Sequence, residues 1–117
     1  MSLPLNPEML AAAYSYLSVT PPFNRWNLPD AEDIIFRINR SIDTQGYYCR
    51  EGKRHVISIS TRRTGRSSSL IEVMAHEMIH LHQRDVQMDS PTAQHNAAFL
   101  KIAARVCHIH GFDLKLF

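Results

Sequence analysis

Two rhythms of apolar residues alternate along this chain. In residues 33–39, Ile34, Phe36 and Ile38 fall on every second position, which predicts a half-buried strand. Residues 55–60 repeat that alternation with β-branched side chains. Glu51-Gly52 supplies a turn between this run and Tyr47-Tyr48-Cys49-Arg50, so the two segments are expected to pair as a hairpin. Elsewhere the period lengthens to that of a helix. Phe99, Ile102, Ala103, Val106 and Ile109 keep helical spacing between a candidate cap at Asn96 and Gly111.

Helix signals also occur near the start and in the middle of the chain. Asn6-Pro7-Glu8 reads as an N-cap, a first-turn proline and an acid favoured by the helix dipole, opening a helix that runs towards Leu17. Pro21-Pro22 marks the break after it. Residues 61–69 contain no hydrophobic side chain and are expected to form an exposed loop. Ser69 and Glu72 then have capping-box spacing, which places the start of a further helix at Ser69. On that helix Glu72, His76, Glu77, His80, Gln83 and Arg84 fall within roughly 140° of arc, and Ile71, Met74, Ala75, Met78, Ile79 and Leu81 cover most of the rest. A largely buried helix with one polar stripe is expected.

Strands and helices are thus segregated along the chain. This predicts an α+β fold with an N-terminal helix, a small antiparallel-rich sheet and two helices that follow it. At 117 residues and 44% hydrophobic content, one domain spanning 1–117 is expected. No apolar run is long enough to span a bilayer, and MSLPLNPEML lacks the positive n-region of a secretory signal, so an intracellular, cytoplasmic protein is expected. The two cysteines, Cys49 and Cys107, are too few and too far apart for a disulfide framework, a Cys-x-x-Cys knuckle or a C-terminal zinc ribbon.

The candidate chemistry lies on the polar stripe. In His76-Glu77-Met78-Ile79-His80 the two imidazoles stand one helical turn apart, about 6 Å, a gap that one zinc ion can bridge. Glu77, between them in sequence, can act as general acid and base on a zinc-activated water. A catalytic zinc takes a third protein ligand and keeps an open position. Gln83 and Val86 stand where an H-E-x-x-H-x-x-G-x-x-H pattern requires Gly and His, and no Glu follows Glu77, so two common solutions are excluded. His82 projects off the stripe, while His108 and His110 suit the C-terminal dipole of the last helix. His95 remains, with Asp85 and Asp89 as further candidates.

This pattern resembles the SprT-like family of zinc metallopeptidases, which includes bacterial SprT proteins and the DNA–protein crosslink protease Spartan. The resemblance rests on His76-Glu77-Met78-Ile79-His80 and on His95-Asn96-Ala97-Ala98-Phe99. It extends to Pro21-Pro22-Phe23, Trp26, Leu28-Pro29, Gly46-Tyr47 and Ile57-Ser58-Ile59-Ser60. It implies a minimal zincin-like core with His76, His80 and His95 as zinc ligands and Glu77 as the catalytic acid and base. Asn96 stands where a Gly is common in the family. The relatives imply a polypeptide substrate and, for some, cleavage of DNA-associated proteins.

The net charge of +2 is too small to argue for nucleic acid, but its distribution is uneven. Arg50, Lys53, Arg54, Arg62, Arg63 and Arg66 crowd the hairpin and the loop after it. Interleaved with Tyr47 and Tyr48, they could track single-stranded DNA and place the protein at the nucleoid; the alternative is a solvated edge whose charges prevent aggregation. Three function classes stand open: a peptidase, expected as a monomer; a non-catalytic zinc-stabilised module that binds nucleic acid or protein; and a zinc hydrolase acting on a small amide.

Overall fold

The computed structural model describes residues 5–62, 67–85, 95–114 and 117, and of residues 67–69 and 85 the backbone alone. Along the chain run α1 (Pro7–Ser18), β1 (Ile34–Asn39), β2 (Gly46–Glu51), β3 (Arg54–Ser60), α2 (Ser67–Asp85) and α3 (Ala97–His110), with two short 3-10 turns between α1 and β1. The fold is α+β, as the segregation of the two rhythms predicts. Among the described residues no helix is long and apolar enough to cross a membrane.

The first helix begins where its sequence says it should. The Asn6 side chain accepts a hydrogen bond from the amide of Met9 at 2.8 Å, and Pro7 fills the first helical position, where no amide is needed. Leu10, Ala13, Tyr14 and Leu17 then recur at helical spacing and are all buried. Tyr14 keeps its hydroxyl satisfied by donating to the carbonyl of Pro29 at 2.5 Å, while its ring meets Phe36 of β1 edge-on at 5.7 Å.

The sheet is mixed, in the order β1-β3-β2. The predicted hairpin is present, with β2 antiparallel to β3 and Glu51 opposite Arg54 around a turn in which Gly52 takes φ +63°. β1 instead pairs in parallel with β3, Ile34 opposite His55 and Asn39 opposite Ser60. The sheet is therefore half parallel rather than antiparallel-rich. Burial gives the reason: Val56 through Ser60 are all buried, so β3 takes the centre and its two partners the edges. Buried Ser58 and Ser60 are satisfied laterally, Ser58 accepting from the Asn39 amide at 2.7 Å and Ser60 donating to the Ser41 carbonyl at 2.6 Å.

One face of the sheet carries Phe36, Ile57 and Ile59 into the core shared with α1 and α2. Across the other, Arg37 of β1 and Glu51 of β2 reach over β3 to form a two-pronged ion pair. Hydrogen bonds from Arg37 hold the Glu51 carboxyl below the usual carboxylate range. Both groups are exposed, so the pair contributes little stability.

The central helix departs from its expected start. It begins at Ser67, two residues before the cap placed at Ser69, so residues 67–69 belong to a helix rather than a loop. Ser69 is therefore the third residue of the helix rather than its cap. Met74, Ala75, Met78, Ile79 and Leu81 are buried as expected, joined by Leu70 and Val73; Ile71 is half-buried, and Glu77 and Gln83 of the polar stripe are buried too. For α3 the predicted ends hold: Asn96 accepts from the amide of Phe99 at 2.9 Å, and Gly111 closes the helix at φ +77°.

Candidate metal centre

A helix separates residues four apart by one turn, which sets His76 and His80 of α2 side by side, their Nε2 atoms 3.3 Å apart. The chain then returns so that His95, just ahead of the Asn96 cap, brings its own Nε2 to 3.1 Å from that of His76. One ligand atom from each of the three lies within 4.8 Å of the others. His76 and His80 are half-buried and His95 is exposed, so the cluster opens to solvent on the His95 side.

Phe99, one turn into α3, forms the floor of the cluster. Its ring centroid lies 4.6 Å from those of His80 and His95 and 5.0 Å from that of His76, and the residue itself is 3% exposed. Phe117 packs on the other side of His76 at 5.3 Å, and its backbone hydrogen-bonds His76. These contacts fix ring orientation, which a converging ligand set requires.

The surroundings keep the His76 and His80 rings neutral. Burial first, then the nearby His95, pushes His76 down to about 4; burial, then His76 and His95, pushes His80 down to about 3. Both therefore present unprotonated nitrogen lone pairs at neutral pH, the form a metal binds. Glu77 is 4% exposed, and burial pushes its carboxyl up to about 8. A cation bound beside it would favour the carboxylate and bring that value down. Three converging imidazoles with an open side are the donor set zinc takes in hydrolytic sites, so these residues fit that ion.

A sequence profile of the SprT-like family matches residues 20–116, most of the chain. The chain belongs to the SprT-like family. It is thereby a metallopeptidase-like domain of a generally zinc-dependent family, and its histidine cluster could hold a metal. No protein in a curated collection matches the chain.

Other candidates raised by the sequence lie elsewhere in this SprT-like domain. His82 stacks on Trp26 at 4.2 Å with the rings only 10° from parallel, turned off the histidine stripe. His110 does more than meet a helix dipole: its Nε2 lies 2.7 Å from the Pro21 carbonyl and 3.2 Å from the Thr20 hydroxyl, tying the end of α3 to the segment after α1. The side chain of Asp85, and all of Asp89, lie outside the described residues.

The basic residues do not form one described patch. Arg50, Lys53 and Arg54 are exposed at the hairpin tip, and Arg62 is exposed beyond the far end of β3. The length of that strand, about 20 Å, separates them. Arg63 and Arg66 lie outside the described residues. Two features escaped the sequence reading. Tyr48, with Phe36 and Ile57 on the helix-facing side of the sheet, brings its hydroxyl to 2.6 Å from His55 Nδ1. Gln83, placed on a polar stripe by its helical angle, is fully buried. Neither follows from periodicity, because both depend on which neighbours pack against the element.

Proposed function

We propose that this domain is a zinc-dependent endopeptidase in which His76, His80 and His95 hold the metal and Glu77 is the general acid and base. The observation that carries the reading is the arrival of His95, from a different helix end, at the two nitrogens of the His76/His80 pair. A helix can align two histidines by chance; a third brought from elsewhere to that half-buried pair has no structural task that an apolar side chain would not perform better. Bound there, zinc would supply a Lewis acid for the scissile carbonyl and lower the pKa of a water towards neutrality.

The chain's own residues supply the rest. The Glu77 carboxylate takes a proton from the attacking water and passes it to the leaving amine nitrogen, and its burial raises its basicity for that task. Phe99 and the surrounding core exclude bulk water from one side of the imidazoles, and the exposed side at His95 admits substrate. β2 is an edge strand that packs against α2, the helix carrying His76 and His80, so an extended polypeptide could add to it. This favours a polypeptide over a small amide. One domain carries the whole apparatus.

The test is zinc content and cleavage of casein and of a DNA-binding protein, with and without DNA, by wild type and Glu77→Gln. We expect about one zinc per chain in both and cleavage only by the wild type, because Gln keeps the size but cannot accept the proton. Zinc without any wild-type cleavage would leave the non-catalytic, zinc-stabilised binding module as the better reading. Absence of zinc would remove both.

DNA-associated proteins are the substrate class favoured by exposed Arg50, Lys53, Arg54 and Arg62, in an intracellular, nucleoid-associated setting. If about four basic residues meet phosphates, the log–log salt slope for single-stranded DNA should be near −3, and Arg62→Ala/Arg63→Ala should flatten it. Identical weak binding by the two proteins would make this a general peptidase with a solvated basic hairpin.

A further inference from the structure

Gln83 lies three residues beyond His80 on α2 and is completely buried. A buried amide is costly unless hydrogen-bonded, and Leu would fill similar space without that cost. The Gln83 side chain spans the two helices: its Nε2 donates to Asn96 Oδ1 at 3.3 Å. The same Oδ1 accepts from the amide of Phe99 at 2.9 Å, and the Asn96 carbonyl accepts from the amide of Leu100 at 3.0 Å. One oxygen atom thus joins the helix carrying His76 and His80 to the first turn of the helix that follows His95.

His95 has no helix of its own to orient it. Its described ring contacts are with the other two imidazoles and Phe99, and the residue is exposed. What fixes its backbone against α2 is the neighbouring residue, Asn96. We propose that Gln83 is a positioning residue of the metal centre, holding His95 in reach of His76 and His80 through Asn96. This rests on the zinc reading above and adds to it a residue with no contact to the metal. Gln83 Oε1, which has no partner among the described residues, fits the same account: the amide is kept for its donor end alone.

The test separates the acceptor role of Asn96 from its capping role. Asn96→Ser keeps a helix cap but is too short to meet Gln83; Asn96→Asp keeps both the cap and the acceptor. Zinc affinity is measured by competition with a chromophoric chelator for wild type, Gln83→Leu, Asn96→Ser, Asn96→Asp and the Gln83→Leu/Asn96→Ser double variant. Thermal unfolding of the metal-free proteins is followed in parallel. Gln83→Leu and Asn96→Ser should each weaken zinc binding about 10- to 100-fold, the range for supporting groups around a metal. The double variant should be no weaker than the worse single one, and Asn96→Asp should bind like wild type.

Wild-type affinity in Gln83→Leu, losses that multiply in the double variant, or an Asn96→Asp protein as weak as Asn96→Ser would each overturn the brace while leaving the zinc site standing. If Gln83→Leu fails to fold, the Ser and Asp variants at Asn96 decide alone. A wild type that binds no zinc defeats the functional reading and the brace together.

Discussion

Gly46 of β2 lies so close to Val73 of α2 that a Cβ on the glycine would stand 3.2 Å from Val73 Cγ1, and only 2.9 Å from the backbone oxygen of Ser58. The glycine is required by space. Gly46→Ala should therefore cost about 1–3 kcal/mol, the range for overpacking a filled interior, read as a lower urea midpoint at unchanged slope. Because Val73 is one turn ahead of Glu77 on the same helix, the variant should also bind zinc more weakly than wild type.

Phe99→Ala removes the floor beneath three imidazoles. A buried Phe to Ala change costs about 3–5 kcal/mol, and Phe99→Leu should recover most of it by refilling the space. Urea unfolding of the metal-free proteins checks the stability, and chelator competition checks that zinc affinity falls in the same order.

The metal-free protein should be most stable near pH 6.5. His76 and His80, lowered from 6.5 to about 4 and about 3, refuse protons that the unfolded chain accepts, so stability falls as pH drops below 6.5. Glu77, raised from 4.5 to about 8, keeps a proton that the unfolded chain releases, so its contribution is lost as pH rises towards 8. Between 4.5 and 6.5 two histidines oppose one glutamate and stability still rises with pH; above 6.5 only the falling limb remains. Urea midpoints in EDTA at about pH 5, 6.5 and 8 give the curve.

Glu77→Gln should remove that falling limb, since an amide does not ionise. At about pH 8 the metal-free variant should exceed the wild type by on the order of 1–3 kcal/mol, while matching it more closely near pH 5. An inactive variant more stable than its parent would mark Glu77 as kept for chemistry at the expense of the fold.

Most of this architecture was legible wherever the signal is local. Asn6 and Asn96 caps, Gly111 as helix stop and the hairpin turn at Gly52 are each settled by a few neighbouring residues. Elimination along the sequence also pointed to His95, whose ring the structure brings to the His76/His80 pair. The parallel pairing of β1 with β3 was not legible, because an alternating strand states its face and not its neighbour. Nor was the burial of Gln83: helical angle put it on the polar stripe, but its amide is buried where it meets Asn96, the cap of α3. Nor was the spacing of the basic residues legible: Arg50, Lys53 and Arg54 stand at the hairpin tip and Arg62 beyond the other end of β3, although they are close in sequence.

The stacking of Trp26 on His82 gives the protein a built-in optical reporter. Trp26 is the only tryptophan in the chain, and its partner stands two positions after His80 on the same helix. A stacked imidazole changes indole emission, and separation of the rings abolishes the effect. Emission intensity therefore follows the attachment of α2 to the Trp26 segment. Folding and chelation can both be watched without labels, at a point close to the histidine cluster yet outside it.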